Sequence, residues 1–292
     1  MPKVSVLIPV YKTNVDYLKN AIGSVLNQTF KDFELVIIDD CPSDTREDVI
    51  KSFNDDRIKY QVNTENQGIS KVRNKLLDLA QGEYIAIMDH DDESLPTRLE
   101  KEVEFLDKHK EYGVVSSSYN LMGTDKYISF PEHDSDIKRA MAFDNFICHT
   151  GMMVRRSLLA EHNIRYEEQY SPAEDYMICL RLMEYTLFYN FKEPLVKYRF
   201  HENNTSKLQQ DKMDFAAAMC RNFAQRQFPY YYHESKEYPF SKVICNKKSW
   251  VKLFGKINFI KIKKQGLVTN YYLFGFLPIF SVVDVDGHRK GS

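Results

Sequence analysis

An α/β fold with a mostly parallel, Rossmann-like central sheet flanked by helices is what the sequence predicts, on three observations. Strand-like and helix-like segments alternate from Val4 onward, the strand-like segments are nearly continuous in apolar character, and polar clusters stand directly after them. Alternation of this kind marks crossover connections, and strands with no polar face must be covered on both sides. In such a sheet the carboxyl ends of the parallel strands lie together and form the crevice where ligands collect.

Val4 to Val10 is expected as the first strand. Asp16 to Asn27 is expected as an amphipathic helix, because Tyr17, Leu18, Ala21, Ile22, Val25 and Leu26 recur at helical spacing. Phe33 to Ile38 is the second strand and runs into Asp39-Asp40, after which Ser43-Asp44-Thr45 supplies capping side chains for a helix reaching about Phe53. Arg57 to Val62 reads as the third strand, Gly68 to Ala80 as the third helix and Glu83 to Met88 as the fourth strand. The pattern then changes. Helices are expected over Pro96 to Lys110, Glu174 to Tyr185 and Gln209 to Gln227, and strands over Gly113 to Ser118, Thr150 to Arg155 and Leu195 to Phe200. Three separated stretches, Pro9-Val10-Tyr11, Asp39-Asp40 and Asp89-His90-Asp91-Asp92, should therefore converge on one crevice.

At 292 residues the chain suffices for one large domain or a domain with a smaller appendage, and its 43% hydrophobic content excludes a disordered protein. The five cysteines are scattered without C-x-x-C spacing, which fits a reducing, cytoplasmic compartment better than a zinc or redox site. Met1-Pro2-Lys3 passes straight into a strand without the marks of a secretory signal. Charge is divided: residues 1–200 carry 25 Lys and Arg against 34 Asp and Glu, whereas residues 201–292 carry 15 against 7. An acidic body with a basic, aromatic tail points to an anionic surface for the tail. No nucleic-acid motif accompanies the charge, which argues against that partner.

Asp89-His90-Asp91-Asp92 brings three carboxylates and an imidazole to one strand end. Carboxylate oxygens suit Mg²⁺ or Mn²⁺, with substrate phosphates completing the shell; the bland reading is a helix-capping segment, with Asp92, Glu93, Ser94 and Pro96 opening the next helix. The first turn, Pro9 to Asn14, has no glycine, and no G-x-x-x-x-G-K-[ST] loop exists, so neither a dinucleotide fingerprint nor a phosphate loop is present. A diphosphate bound here needs a metal, which favours Asp89 and Asp91 as ligands.

Taken together, these pieces resemble the family 2 glycosyltransferases, nucleotide-sugar-dependent enzymes with the GT-A fold. The resemblance rests on Val4 to Tyr11, on Ile37-Ile38-Asp39-Asp40-Cys41-Pro42-Ser43-Asp44-Thr45, on Asn66-Gln67-Gly68 with Arg73-Asn74, and on Gly82 to Asp92. Glu174-Asp175 and Tyr198-Arg199-Phe200-His201 complete it. Cys41-Pro42 stands where the family has Gly-Ser, and Val72 where it has Ala, changes that touch turn shape and no charged group.

The resemblance implies a catalytic domain over 1–204, with a nucleotide-binding part over about 1–112, an acceptor-binding part over about 113–204 and an extension over 205–292. It implies that Pro9, Val10 and Tyr11 flank the base, that Asp39 accepts a hydrogen bond from it, and that Asn66, Gly68, Arg73, Asp89 and His90 complete the nucleotide site. An acceptor-only carboxylate suits the imide N–H of uracil, so a UDP-sugar is favoured. Asp91 is the implied ligand for Mn²⁺ or Mg²⁺, with Asp89 bridging ribose and metal and His201 near the diphosphate. Asp175 resembles the general base of an inverting single displacement. For Arg73 the alternative is a surface ion pair, for Asp175 a helix cap with Glu174 as base, for His201 a structural role, and for His149, placed beside acceptor or sugar, a packed loop histidine. A bacterial-type surface glycan, lipopolysaccharide or capsule, is the expected product; the loops between Ser118 and Pro172 carry no transferable code for sugar or linkage. A sugar-phosphate nucleotidyltransferase would show a Gly-rich basic N-terminal loop, which is absent, and a non-catalytic glycan-binding module would not need both Asp91 and Asp175.

Gly266 to Val283 is apolar and aromatic but interrupted by Thr269, Asn270, Gly275 and Pro278, whereas a spanning helix needs roughly twenty apolar residues. Lys247, Lys248, Lys252, Lys256, Lys261, Lys263 and Lys264 precede it. Basic residues beside aromatics fit peripheral contact with the inner face of an anionic plasma membrane and a lipid-linked glycan as acceptor; the alternative is a packed hairpin.

Overall fold

The computed structural model describes residues 1–202, 204, 208–235 and four later strands, with side chains as far as residue 233. β1 (Val4–Val10), β2 (Phe33–Asp39), β3 (Ile58–Val62) and β4 (Tyr84–Ile87) lie in the order β3-β2-β1-β4 and pair in parallel throughout. The crossovers are α1 (Val15–Leu26), α2 (Glu47–Lys51) and α3 (Ile69–Leu79). Strand alternation divides the apolar residues between two cores. Val6, Ile8, Leu35 and Ile37 pack with Leu18, Ile22 and Val25 of α1, while Leu7, Val36 and Ile38 pack with Val72 and Leu76 of α3. Burying each such side chain stabilises by about 1.5–3 kcal/mol, which is why a strand without a polar face needs helices on both sides.

The second half inserts antiparallel strands. β5 (Glu93–Ser94) and α4 (Arg98–Lys108) lead into β6 (Tyr112–Leu121), β7 (Lys126–Ser129) and α5 (Asp134–Ala140). β8 (Met153–Arg155) then runs antiparallel between β4 and β6, followed by α6 (Arg156–Glu161), α7 (Glu174–Leu182) and β9 (Leu187–Tyr198), which pairs in parallel with β6. α8 (Gln210–Gln227) places Ala216, Cys220 and Ala224 in the core that holds α7, and α9 (Pro229–Ser235) follows. No helix among the described residues is long and apolar enough to cross a membrane.

Three local expectations are corrected. α2 begins at Glu47 and not at Ser43, because the Asp44 carboxylate is taken by the Arg46 guanidinium at 2.6 and 2.9 Å and is not free to cap. β9 starts at Leu187, eight residues before the expected strand; Lys192, Glu193 and Pro194 interrupt its apolar pattern, and its register against β6 shifts there. Asp92 does not open a helix. The chain stays extended through β5, which pairs with β9, and α4 starts only at Arg98.

Beyond α9, β10 (Lys242–Asn246) pairs antiparallel with β7, and β11 (Ile260–Gln265), β12 (Val268–Leu273) and β13 (Leu277–Val283) continue antiparallel from it. The expected membrane contact of the tail concerns side chains that lie outside the described residues.

Candidate active site

Because β1, β2 and β4 are parallel, the residues after Val10, Asp39 and Ile87 emerge at one edge of the sheet. Pro9 and Val10 are buried in the strand, and Tyr11 stands at the rim with 43% of its surface exposed. Lys12 adopts a positive φ of 46° beside it, with Nζ 5.3 Å from the Tyr11 ring. Positive φ therefore falls on Lys12, not at the Cys41-Pro42 turn.

Asp39 is fully buried. Its Oδ1 accepts the Cys41 N–H at 3.1 Å, and its Oδ2 accepts the Arg46 N–H at 2.7 Å and the Tyr60 hydroxyl at 3.2 Å. Asp40 turns the other way and accepts the Gln67 and Gly68 N–H groups and the Asn63 amide at 2.7–3.0 Å. That grip holds the exposed Asn66-Gln67-Gly68 turn, where Gly68 has φ 82° and leads directly into α3. Asp40 and Asn63 were not among the expected site residues; the Asp39-Asp40 doublet was the only signal for them.

α3 sends Arg73 inward. Its Nη1 donates to Glu174 Oε1 at 2.6 Å and its Nη2 to Asp89 Oδ1 at 3.1 Å, so one buried guanidinium joins the end of β4 to the start of α7. Arg73 is thus not a surface ion pair. It also lies over the Tyr166 ring, whose hydroxyl meets His149 Nε2 at 2.9 Å. Burial, aided by Arg73, pushes His149 down to about 3, which keeps the imidazole neutral. Arg73 Nε, Glu174 Oε2 and His149 Nδ1 are buried without a hydrogen-bond partner among the described residues.

Asp175 follows Glu174 in the first turn of α7 and is half-buried. Its Oδ1 accepts the Tyr176 N–H at 2.7 Å and its Oδ2 the Asn145 amide at 3.3 Å. Burial and the adjacent Glu174 raise its carboxyl to about 6 against the pull of Arg73. Nothing in the sequence around Asn145 or Tyr166 announced either contact.

The turn after β4 divides its carboxylates. Asp89 goes to Arg73, while its N–H donates to Thr150 Oγ1 at 3.0 Å. His90 is partly buried, and its Nδ1 has no hydrogen-bond partner among the described residues. Asp91 Oδ2 meets His201 Nε2 at 2.9 Å, and the His201 ring lies 5.4 Å from that of Tyr17 in α1. Asp92 accepts the Arg199 N–H at 2.8 Å, and burial beside Asp91 and Asp89 holds its carboxyl well above the usual range. Arg199 also reaches the Asp91 carbonyl, Glu93 and the Tyr17 ring, so the end of β9 is fastened over the turn.

Asp91 and His201 are one hard oxygen and one imidazole side by side, which fits a Mg²⁺ or Mn²⁺ that completes its shell with phosphate oxygens and water. Among the described residues no group of three His, Cys, Asp or Glu side chains forms a closed cage. Asp89, expected as a further ligand, faces Arg73.

The model for the Glycosyl transferase family 2 matches residues 5–162. The chain belongs to glycosyl transferase family 2. This glycosyltransferase is 32% identical over 223 residues to an uncharacterized glycosyltransferase of Methanocaldococcus jannaschii, a span of 73% of this chain and 76% of that one. Over 98 residues, 32% of this chain and 31% of the other, it is 43% identical to the GalNAc(5)-diNAcBac-PP-undecaprenol beta-1,3-glucosyltransferase of Campylobacter jejuni. S. aureus TarS 1-349, solved in complex with UDP-GlcNAc, superposes with a TM-score of 0.63 over 81% of the glycosyltransferase and 73% of TarS. At 18% identity that likeness concerns the fold, which is the expected GT-A architecture.

Proposed function

We propose that the enzyme is an inverting glycosyltransferase that moves a sugar from UDP to a hydroxyl of a lipid-linked glycan, with Asp175 as general base. The observation that carries this reading is the Arg73 bridge, because one side chain ties the carboxylate that opens the Asp89–Asp92 turn to the helix that bears Asp175. Tyr11 offers a ring face for the base. Asp39 Oδ1 accepts a single protein donor, so it would meet a uracil imide N–H through its second lone pair once the turn that buries it gives way. TarS, with the same fold, was solved with UDP-GlcNAc, and the C. jejuni relative is named for an undecaprenol-linked acceptor.

In the reaction the acceptor hydroxyl gives its proton to Asp175 as its oxygen bonds to the anomeric carbon. The bond from that carbon to the diphosphate breaks on the opposite face, and its electron pair leaves with UDP. Asp91 and His201 would hold the divalent cation, which when bound offsets charge on the diphosphate. Arg73 keeps Glu174 compensated, so that Asp175 remains the group free to take a proton. The enzyme would work at the cytoplasmic face of the membrane, where such acceptors are built.

A screen of nucleotide sugars for UDP release, with and without Mn²⁺, tests this directly. Turnover is expected with a UDP-sugar and Mn²⁺, and Asp175→Asn should lower it by about 10²–10⁴-fold while UDP still binds. Turnover of GDP- or CDP-sugars alone would remove the uridine assignment; unchanged metal dependence in Asp91→Ala would remove the metal assignment.

A further inference from the structure

The side chain that contacts most of the Asp89–Asp92 turn's supports belongs to no part of the proposed chemistry. Arg98, in the first turn of α4, has 0% of its surface exposed. Its Nη2 donates to the Ile87 carbonyl at 2.9 Å, two residues before Asp89, and to the Met152 carbonyl at 3.4 Å. Its Nη1 donates to Ser94 Oγ at 3.0 Å, two residues after Asp92, and to the Thr150 carbonyl at 3.0 Å, while Met88 Sδ lies 3.6 Å away. Nε completes the set on Glu102 Oε1 at 3.1 Å, itself fully buried. One planar cation thus holds both ends of the turn and the segment packed against it. Thr150 closes the circuit, since its carbonyl accepts from Arg98 and its hydroxyl accepts from the Asp89 N–H.

We propose that Arg98, backed by Glu102, is a positioning residue for the donor site. It presets the carboxylate turn in the free enzyme, so that no binding energy is spent on ordering it. The geometry requires arginine. Five donors in a rigid fork meet acceptors that diverge around one plane, whereas a lysine ammonium offers three donors from a single point. A buried charge removed without compensation would also strand Glu102, which explains why the pair stays together inside the core.

The proposal rests on the reading of Asp89–Asp92 as the donor site, and two measurements on the full chain separate them. In Arg98→Lys and in the milder Ser94→Ala, hydrogen exchange of amides 88–94 should accelerate by about ten-fold or more, the factor that follows from roughly 1.4 kcal/mol of lost local stability. Exchange in β1 and β2 should be unchanged. UDP binding with Mn²⁺, measured by calorimetry, should weaken by about ten-fold in Arg98→Lys, with a higher KM for the donor and a smaller change in kcat. If both variants lower only the melting temperature, with exchange at 88–94 and UDP affinity as in the parent, Arg98 is merely structural and the proposal falls. If the parent itself binds no UDP, the donor-site reading fails, and exchange at 88–94 alone then decides whether Arg98 orders the turn.

Discussion

Asp175 stands between opposing influences, and as the proposed base it would take its working pH from them. Burial and Glu174 raise its carboxyl to about 6, and Arg73 pulls the other way. A base must be ionised before it can take a proton, so kcat/KM should rise with pH through about 6 and level above it. Glu174→Gln removes the nearer negative charge and should move that limb to lower pH. A pH–rate profile that stays flat from about 5 to 8 would rule Asp175 out as base. Arg73 is the residue on which both groups depend. Replacing it with Met leaves the buried Glu174 and the half-buried Asp89 without their cation, a loss of about 3–5 kcal/mol that denaturant unfolding would register. The acidic groups themselves were legible, because Asp89, Asp91 and Asp175 each stand in a distinctive string. Their partners were not: Tyr166 and Asn145 come from loops whose local sequence has no periodicity to read, and Thr150, expected to open a strand, lies in a short 3-10 turn before it.

The elements were legible wherever one physical signal dominated. β1, β2 and β4 announce themselves by apolar runs that only a sheet covered on both faces can bury. Helix starts were harder, since Asp44 and Asp92 look like caps and are consumed by Arg46 and Arg199. The entry to α3 shows how strictly one turn can be specified. Gly68 sits at φ 82° with its N–H bonded to Asp40 Oδ2 at 2.9 Å, so a side chain there is strained whatever room it finds. Gly68→Ala should cost about 1–3 kcal/mol by equilibrium unfolding. The same change should weaken nucleotide binding, because the Asn66–Gly68 turn borders the crevice. Stability equal to the parent's would mean that Asp40 does not enforce this conformation.

Across the described residues, the parallel strands β1 to β4 continue through antiparallel β8 into β6, which pairs in parallel with β9, and the candidate site stands where β1, β2, β4 and β9 end. Residues 201–292 carry an excess of eight positive charges over negative ones, against nine the other way in the rest. If the basic extension meets an anionic surface, the full chain should co-sediment with vesicles rich in phosphatidylglycerol and not with neutral phosphatidylcholine vesicles. Raising ionic strength from about 0.1 to 1 M should release it, as the Debye length shrinks from about 10 to 3 Å. Binding that ignores lipid charge or salt would point to apolar contact alone.

The fold class, the family and the three strand ends that meet at the crevice were determined by the chain's own order of residues. Apolar periodicity and the alternation of strand with helix are local properties that one strand or helix expresses alone. Which carboxylate does what was decided by packing. Arg73 bridges Asp89 and Glu174, Arg199 takes Asp92, and His201 pairs with Asp91. Three of these pairings join residues more than a hundred positions apart, and a buried charge accepts whichever partner the fold delivers within hydrogen-bond reach.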